Sequence, residues 1–227
     1  MPGTKAPEAL RREQIMRAAY EVAAREGLDG TTILQVAAAA GLSPGLVPFH
    51  FGSKRRLLLS LLDWLLETTT VLHVGPEITS LPSPTERLLA LLRQEMARLS
   101  SEPERIRLTF DFWTAGIRDE AVRARMRTEF ARYREAFRPM VEAVLAAEPE
   151  RFGGVTTEGL AAVAVSFIKG CAVQSMIDPE HFDIAEFLAA AEVVVAVGSG
   201  GPPPNHTIAA SPGDATIVSP PPAPFRR

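Results

Sequence analysis

Apolar residues recur along this chain with the spacing of helices, from near its start to about residue 197, and predict an all-α protein. Leu10, Ile15, Ala18, Ala19, Val22 and Ala23 mark the inner side of a helix over about 8–26, ended by Gly27. Ile33, Val36, Ala37 and Ala40 mark a second, with Thr31 and Thr32 as N-cap candidates ahead of it. Gly41 stops that helix, because glycine enters the left-handed region without a Cβ clash. Ser43 is placed to cap a third helix over about 44–49, with Pro44 at a first position where a missing N–H costs nothing. A fourth, over about 54–72, carries Leu57, Leu58, Leu61, Leu62, Trp64, Leu65 and Leu66 on more than one face. Such a helix is sandwiched between two groups of helices, and so links a head to a body mechanically.

The Pro/Ser-rich stretch 75–86 reads as the boundary, and the body then continues in helices over about 84–100, 103–117 and 119–147, with Pro139 expected to kink the last. Arg123, Arg125, Arg127, Arg132, Arg134 and Arg138 alternate with Glu129, Glu135 and Glu142 there, and read as solvated faces with i,i+4 pairs rather than a second nucleic-acid site. Helices over about 157–176 and 184–197 are almost wholly small or apolar, more than one subunit covers easily, and predict an isologous four-helix homodimer interface. Residues 198–227 are Pro/Gly-rich without period and read as a disordered tail, and 1–7 as an arm from which Lys5 could reach a phosphate or groove.

The second and third helices, joined by a short turn with a glycine in it, have the form of a helix-turn-helix, which places its second helix in the major groove of double-stranded DNA. Lys54, Arg55 and Arg56 open the next helix against its macrodipole, a conflict that a bound phosphate removes. Pro48 has two readings: a helix end that tolerates proline, or altered base contact at that position. His50 also has two, a phosphate contact or a packed, hydrogen-bonded ring, and it lacks a second ligand at metal spacing.

Thr31, Thr32, Val36, Ala37, Ala40, Gly41, Leu42, Ser43, Gly45, His50, Phe51, Lys54 and Leu57 together resemble the signature of the TetR family of bacterial regulators, in order and at fixed spacing. At Pro48 and Phe49 that family often has tyrosines; Phe49 packs on a sugar but has no hydroxyl for a phosphate. Around 112–120, Phe112, Trp113, Ile117, Arg118, Asp119 and Glu120 resemble the subgroup of choline-responsive betaine regulators. The resemblance implies a three-helix DNA-binding domain over 8–56, continuing into 54–72, and a ligand-binding and dimerisation domain over 77–197. It implies a repressor released from its operator by a ligand; an activator, or control by a protein partner, stays open. Thr31, Thr32, Ser43, Pro44, Gly45, Leu46, Phe49, His50 and Lys54 are the expected DNA-binding residues. Pro44, Gly45, Leu46 and Phe49 offer apolar contacts to thymine methyls, and Thr32, Ser43, His50 and Lys54 contacts to the backbone.

Charge sharpens this picture. The chain's net charge is −3, yet residues 1–60 carry eight Lys/Arg against five Asp/Glu, a basic head on an acidic body. The absence of a long charge-free apolar run or a secretory h-region, with a single Cys171, predicts a cytoplasmic protein without a membrane segment. An enzyme built on Cys171 or His50 would need an activating environment and a catalytic constellation that the sequence does not offer, and no cofactor or metal is expected. For the effector, Phe110, Trp113, Met126, Phe130, Tyr133, Phe167, Cys171 and Gln174 are expected to line an interhelical cavity for a small hydrophobic molecule with few hydrogen bonds.

Overall fold

The computed structural model of the protein describes residues 8–68, 74–99 and 102–197. The expected N-terminal arm, the C-terminal tail and the last residues of the linking helix lie outside them. The described residues form ten helices and no strand: α1 (Glu8–Gly30), α2 (Ile33–Ala39), α3 (Leu46–Phe51), α4 (Lys54–Thr68), α5 (Pro76–Thr79), α6 (Pro84–Leu99), α7 (Pro103–Gly116), α8 (Glu120–Ala147), α9 (Thr157–Ile177) and α10 (Ile184–Val197). The all-α reading is correct, and α5 is a short turn of helix inside the expected boundary loop.

Local chemistry accounts for most of the ends. Gly27, at φ +74°, breaks α1 as expected, although one further helical turn follows it. Thr32 closes a capping box on α2: the Gln35 N–H donates to Thr32 Oγ1 at 3.2 Å, and the Thr32 N–H donates to Gln35 Oε1 at 3.0 Å. Gly41, at φ +64°, ends α2, and the Leu42 N–H returns to the Ala37 carbonyl at 2.9 Å. The start of α3 differs from expectation. Ser43 and Pro44 stay in the turn, Gly45 is the N-cap, and the helix begins at Leu46. Pro48 is therefore its third residue, whose N–H has no intrahelical acceptor in any helix. That is why α3 runs through Pro48 to Phe51 instead of loosening there. Farther on, α8 continues through Pro139 as one helix.

Two apolar clusters hold the molecule together. The first joins Ile15, Ala19 and Val22 of α1, Val36 of α2, Val47 of α3 and Leu57, Leu61 and Leu62 of α4 to Leu108 and Phe112 of α7 and Val122 and Met126 of α8. The core of the head thus runs on into the body, with each fully buried leucine contributing roughly 1.5–3 kcal/mol. The second cluster packs α6, α8 and α9 through Leu91, Met96, Phe137, Val141, Val165, Ile168 and Cys171, with Phe187 and Leu188 of α10 against its edge. By length and composition α9 is apolar enough to cross a membrane, with mean hydropathy 1.7, but Lys169 lies inside it and it packs on α6 and α8.

Candidate nucleic-acid interface and effector cavity

The turn between α2 and α3 and the outer side of α3 hold most of the residues expected to meet DNA. Ser43, Pro44, Gly45 and Phe49 are exposed, Phe49 at 78%, while Leu46 and His50 are partly covered and Val47 and Phe51 anchor the inner side in the core. Thr32 is exposed beside them. Thr31 is a correction: it is fully buried, and its hydroxyl donates to the Gly27 carbonyl at 2.7 Å, so it shapes the turn and cannot reach DNA. His50 is fixed through its backbone, whose carbonyl accepts from Arg12 Nη1 at 2.5 Å, while its ring stands edge-on to Phe49 at 5.1 Å.

The three cations at the start of α4 divide. Lys54 Nζ donates to the Asp29 carbonyl at 2.8 Å, Arg55 pairs with Asp119 at the start of α8, and Arg56 stays exposed. Without DNA, two of them are tied down within the protein.

Behind this head, α4 is clamped to the body by guanidinium groups. Arg125 of α8 donates from Nε and Nη2 to the two carboxylate oxygens of Asp63, at 2.6 and 3.2 Å. Arg105 Nη2 of α7 donates to the Leu65 carbonyl and the Thr68 hydroxyl, both at 2.7 Å, and Arg132 Nη2 donates to the Leu66 carbonyl at 2.5 Å. Those carbonyls belong to the last turn of α4, which has orphan acceptors and the negative end of the macrodipole. Arg107 reaches across in the same way to the Ala24 carbonyl of α1.

The same region encloses a cavity. Leu66 of α4, Arg98 of α6, Ile106, Phe110 and Trp113 of α7, Met126, Glu129, Phe130 and Tyr133 of α8, and Ile168, Lys169 and Ala172 of α9 face it. Its volume is about 50 Å³. The Trp113 and Phe130 rings stack at 4.9 Å, and Phe110 meets Trp113 edge-on at 4.6 Å. Trp113, Met126 and Phe130 also wall a neighbouring open cleft of about 540 Å³, further lined by Ile117, Arg123, Arg127 and Arg134.

Five of the eight expected lining residues thus meet in one place: Phe110, Trp113, Met126, Phe130 and Tyr133. The other three lie elsewhere. Phe167 packs on Phe187, with ring centroids 6.1 Å apart, Cys171 is sealed in the second core cluster, and Gln174 is exposed with its amide turned to the Gly170 carbonyl. The reason is helical phase, since α9 faces the cavity through Ile168, Lys169 and Ala172. Sequence reasoning also missed the charged lining. Arg98, Glu102, Arg105, Glu129 and Lys169 all face the cavity; Glu129 is 7% exposed, and Arg98 donates to the buried Glu95 and reaches the Tyr133 hydroxyl at 3.1 Å. Burial pushes the Glu129 carboxyl and the Tyr133 phenol up and brings Lys169 down to about 8. A lone lysine in the otherwise apolar run of α9 was the available signal. Cys171 is likewise pushed up by burial, away from thiolate chemistry.

Comparison with known proteins covers both halves of the chain. A family model described as bacterial regulatory proteins, tetR family, matches residues 15–61, and one described as BetI-type transcriptional repressor, C-terminal, matches residues 84–197. The chain is 26% identical over 182 residues to the HTH-type transcriptional regulator BetI of Vibrio vulnificus (strain YJ016), spanning 79% of this chain and 87% of that protein. Among solved structures, a TetR transcription regulator from Haloarcula marismortui superposes with a TM-score of 0.63 at 21% identity, over 84% of this chain and 96% of that one. A transcriptional regulator from Saccharomonospora viridis, crystallised in complex with choline, gives 0.65 at 16% identity, over 83% and 96%.

Proposed function

This chain belongs to the TetR family of bacterial regulatory proteins, and from that premise we propose a cytoplasmic, dimeric repressor that leaves its operator when a small molecule enters the body. DNA binding and transcription regulation are the family's work. The finer reading concerns how this chain does it. One observation carries it: α4 is shared, its first turn standing beside the exposed edge of α3 and its Leu66 end forming part of the cavity wall.

In this reading Pro44, Gly45, Leu46 and Phe49 enter the major groove, with Thr32, Ser43, His50 and Lys54 on the flanking backbone. Lys54 exchanges the Asp29 carbonyl for a phosphate, a stronger, charge-assisted partner. Two heads engage half-sites about 34–36 Å apart, or a multiple of that. The second subunit packs on α9 and α10, where Val163, Ile177, Val193 and Val194 stand exposed. A ligand that wedges apart α4, α7 and α8 shifts the head separation. By linkage it binds the DNA-free form more tightly.

The test is selection of binding sites from a random DNA library, followed by mass measurement of the complex. A two-fold symmetric site holding an even number of protomers supports the reading. A single asymmetric half-site bound by one protomer contradicts it.

A further inference from the structure

The cavity holds more charge than an apolar effector calls for, and that charge does not cancel. The carboxylates that line it already have a guanidinium: Arg132 Nη2 lies 2.9 Å from Glu129 Oε2, and Arg105 Nε lies 3.5 Å from Glu102 Oε2, while Arg98 Nη2, also in the wall, lies 2.8 Å from Oε2 of the buried Glu95. Lys169 reaches the same space from α9 and finds ring faces instead. Its ammonium lies 4.5 Å from the Tyr133 ring centroid and 5.9 Å from that of Trp113. Among the described residues it has no hydrogen bond and no carboxylate at ion-pairing distance. A π face attracts an ammonium but offers no lone pair to its three N–H donors. Glu129 and Glu95 act on Lys169 only through space, so it is a cation without a contact anion, at the wall of a cavity whose acids each have a closer guanidinium.

We propose that the effector is a monoanion, a carboxylate on an apolar body, and that Lys169 selects it by pairing with the carboxylate inside the cavity. This rests on the ligand-released reading above and names the chemistry of its site. The same geometry disfavours a cationic ligand. The Tyr133 and Trp113 faces already carry the Lys169 ammonium, and a second cation would meet like charge in a low-dielectric space. The enclosed volume of about 50 Å³ accepts little more than the carboxylate head. The cleft of about 540 Å³ behind Trp113, Met126 and Phe130 lies in the range of small-molecule sites, roughly 300–1,000 Å³, and takes the body. The same three side chains line both spaces, so the head and body of one ligand would meet across that shared wall. The cleft's charged lining, Arg123, Arg127 and Arg134, is positive throughout, although Glu120 already pairs with the first two. That lining favours entry of an anion.

The test is calorimetric titration of the full chain, without DNA, with three probes of one chain length and a small head: octanoate, octanamide and octylammonium. Wild type is compared with Lys169→Met and Lys169→Gln. Octanoate should bind wild type at least about tenfold more tightly than octanamide, and the cation most weakly, the scale expected when a buried charge gains or loses its partner. Both variants should lose that preference while still binding octanamide about as well as wild type does. Equal binding of acid and amide by wild type, a preference for the cation, an acid preference that survives both substitutions, or no octanoate binding at millimolar concentration each overturns the proposal. Operator release, followed in parallel by anisotropy, separates the two readings. Octanoate that binds through Lys169 without releasing DNA supports the selectivity and contradicts ligand release.

Discussion

Arg55 and Asp119 join the first turn of the linking helix to the first turn of the longest helix in the body. The Asp119 carboxylate accepts from both terminal guanidinium nitrogens of Arg55 while its Oδ1 caps α8, accepting the N–H of Ala121 at 2.9 Å and of Val122 at 3.3 Å. The Arg55 hydrogen bond, foremost, holds this carboxyl down at about 2, and the two backbone N–H groups act in the same direction. One side chain therefore sets where α8 begins and where the reading head sits against it.

The sign of that shift fixes the pH window. A carboxyl depressed from 3.8 to about 2 adds stability that is complete above roughly pH 5 and disappears as pH falls toward 2. A thermal double-mutant cycle of Arg55→Ala and Asp119→Ala should give the same coupling at pH 7 and pH 5 and a smaller one below pH 4. Asp119→Ala alone should be the more damaging single change, because it also uncaps α8. Additive effects at neutral pH would show that the pair does not hold the head.

Removing the unpaired cation of the cavity should stabilise the ligand-free protein. Lys169 faces Glu129 and Tyr133 on α8, Arg98 and Glu95 on α6 and Trp113 on α7, and burial lowers it from 10.5 to about 8. Charging it therefore costs the folded state, fully below about pH 8 and not at all once pH exceeds 10.5. Lys169→Met should raise the free energy of unfolding by about 1–3 kcal/mol at pH 7, with a gain that shrinks between pH 8 and 10.5. Denaturant titrations at three pH values measure this, and a Met variant less stable at pH 7 would refute it.

The capping box of α2 gives a simpler expectation. Thr32→Ala should destabilise the protein by about 1 kcal/mol, while Thr32→Ser keeps the cap and most of that stability. Chemical denaturation of the pair decides it, and equal losses in both would mean that the cap is not the source.

The exposed apolar residues of α10 bear on assembly. Val193→Glu combined with Val194→Glu should convert a dimer to a monomer in sedimentation experiments. It should weaken operator binding by at least about tenfold, since the second head then binds without the effective concentration of a linked partner. A variant that still sediments as a dimer would place the interface elsewhere.

The helix-turn-helix was legible because its signals are local. Thr32, Gly41 and the spacing of Val36 and Ala37 act within a few residues of where they stand. The start of α3 was not, because Ser43 and Pro44 carry start signals of their own while the chain keeps turning until Gly45. Thr31 failed for a different reason: the motif fixes its identity, but only the packed turn shows its hydroxyl facing Gly27. In the body, the residues of α7 and α8 fall on one stripe of amphipathic helices, so Phe110 with Trp113, and Met126, Phe130 and Tyr133, could be grouped from spacing alone. On α9 nearly every position is small or apolar, and the pattern gives no phase. The choice between Phe167, Cys171 and Gln174 on the one hand and Ile168, Lys169 and Ala172 on the other awaited the neighbouring helices.

In the proposed reading, the edge of α3 and the first turn of α4 bind DNA with sequence specificity. Fluorescence anisotropy on the library-selected site and on scrambled DNA, across a salt series, tests it most directly, with Lys54→Ala beside wild type. Wild type should prefer the selected site by about 10³-fold or more and show a steep salt slope, shallower by about one unit in the variant. Equal affinity for both DNAs at physiological salt, or an unchanged slope without Lys54, would contradict the account.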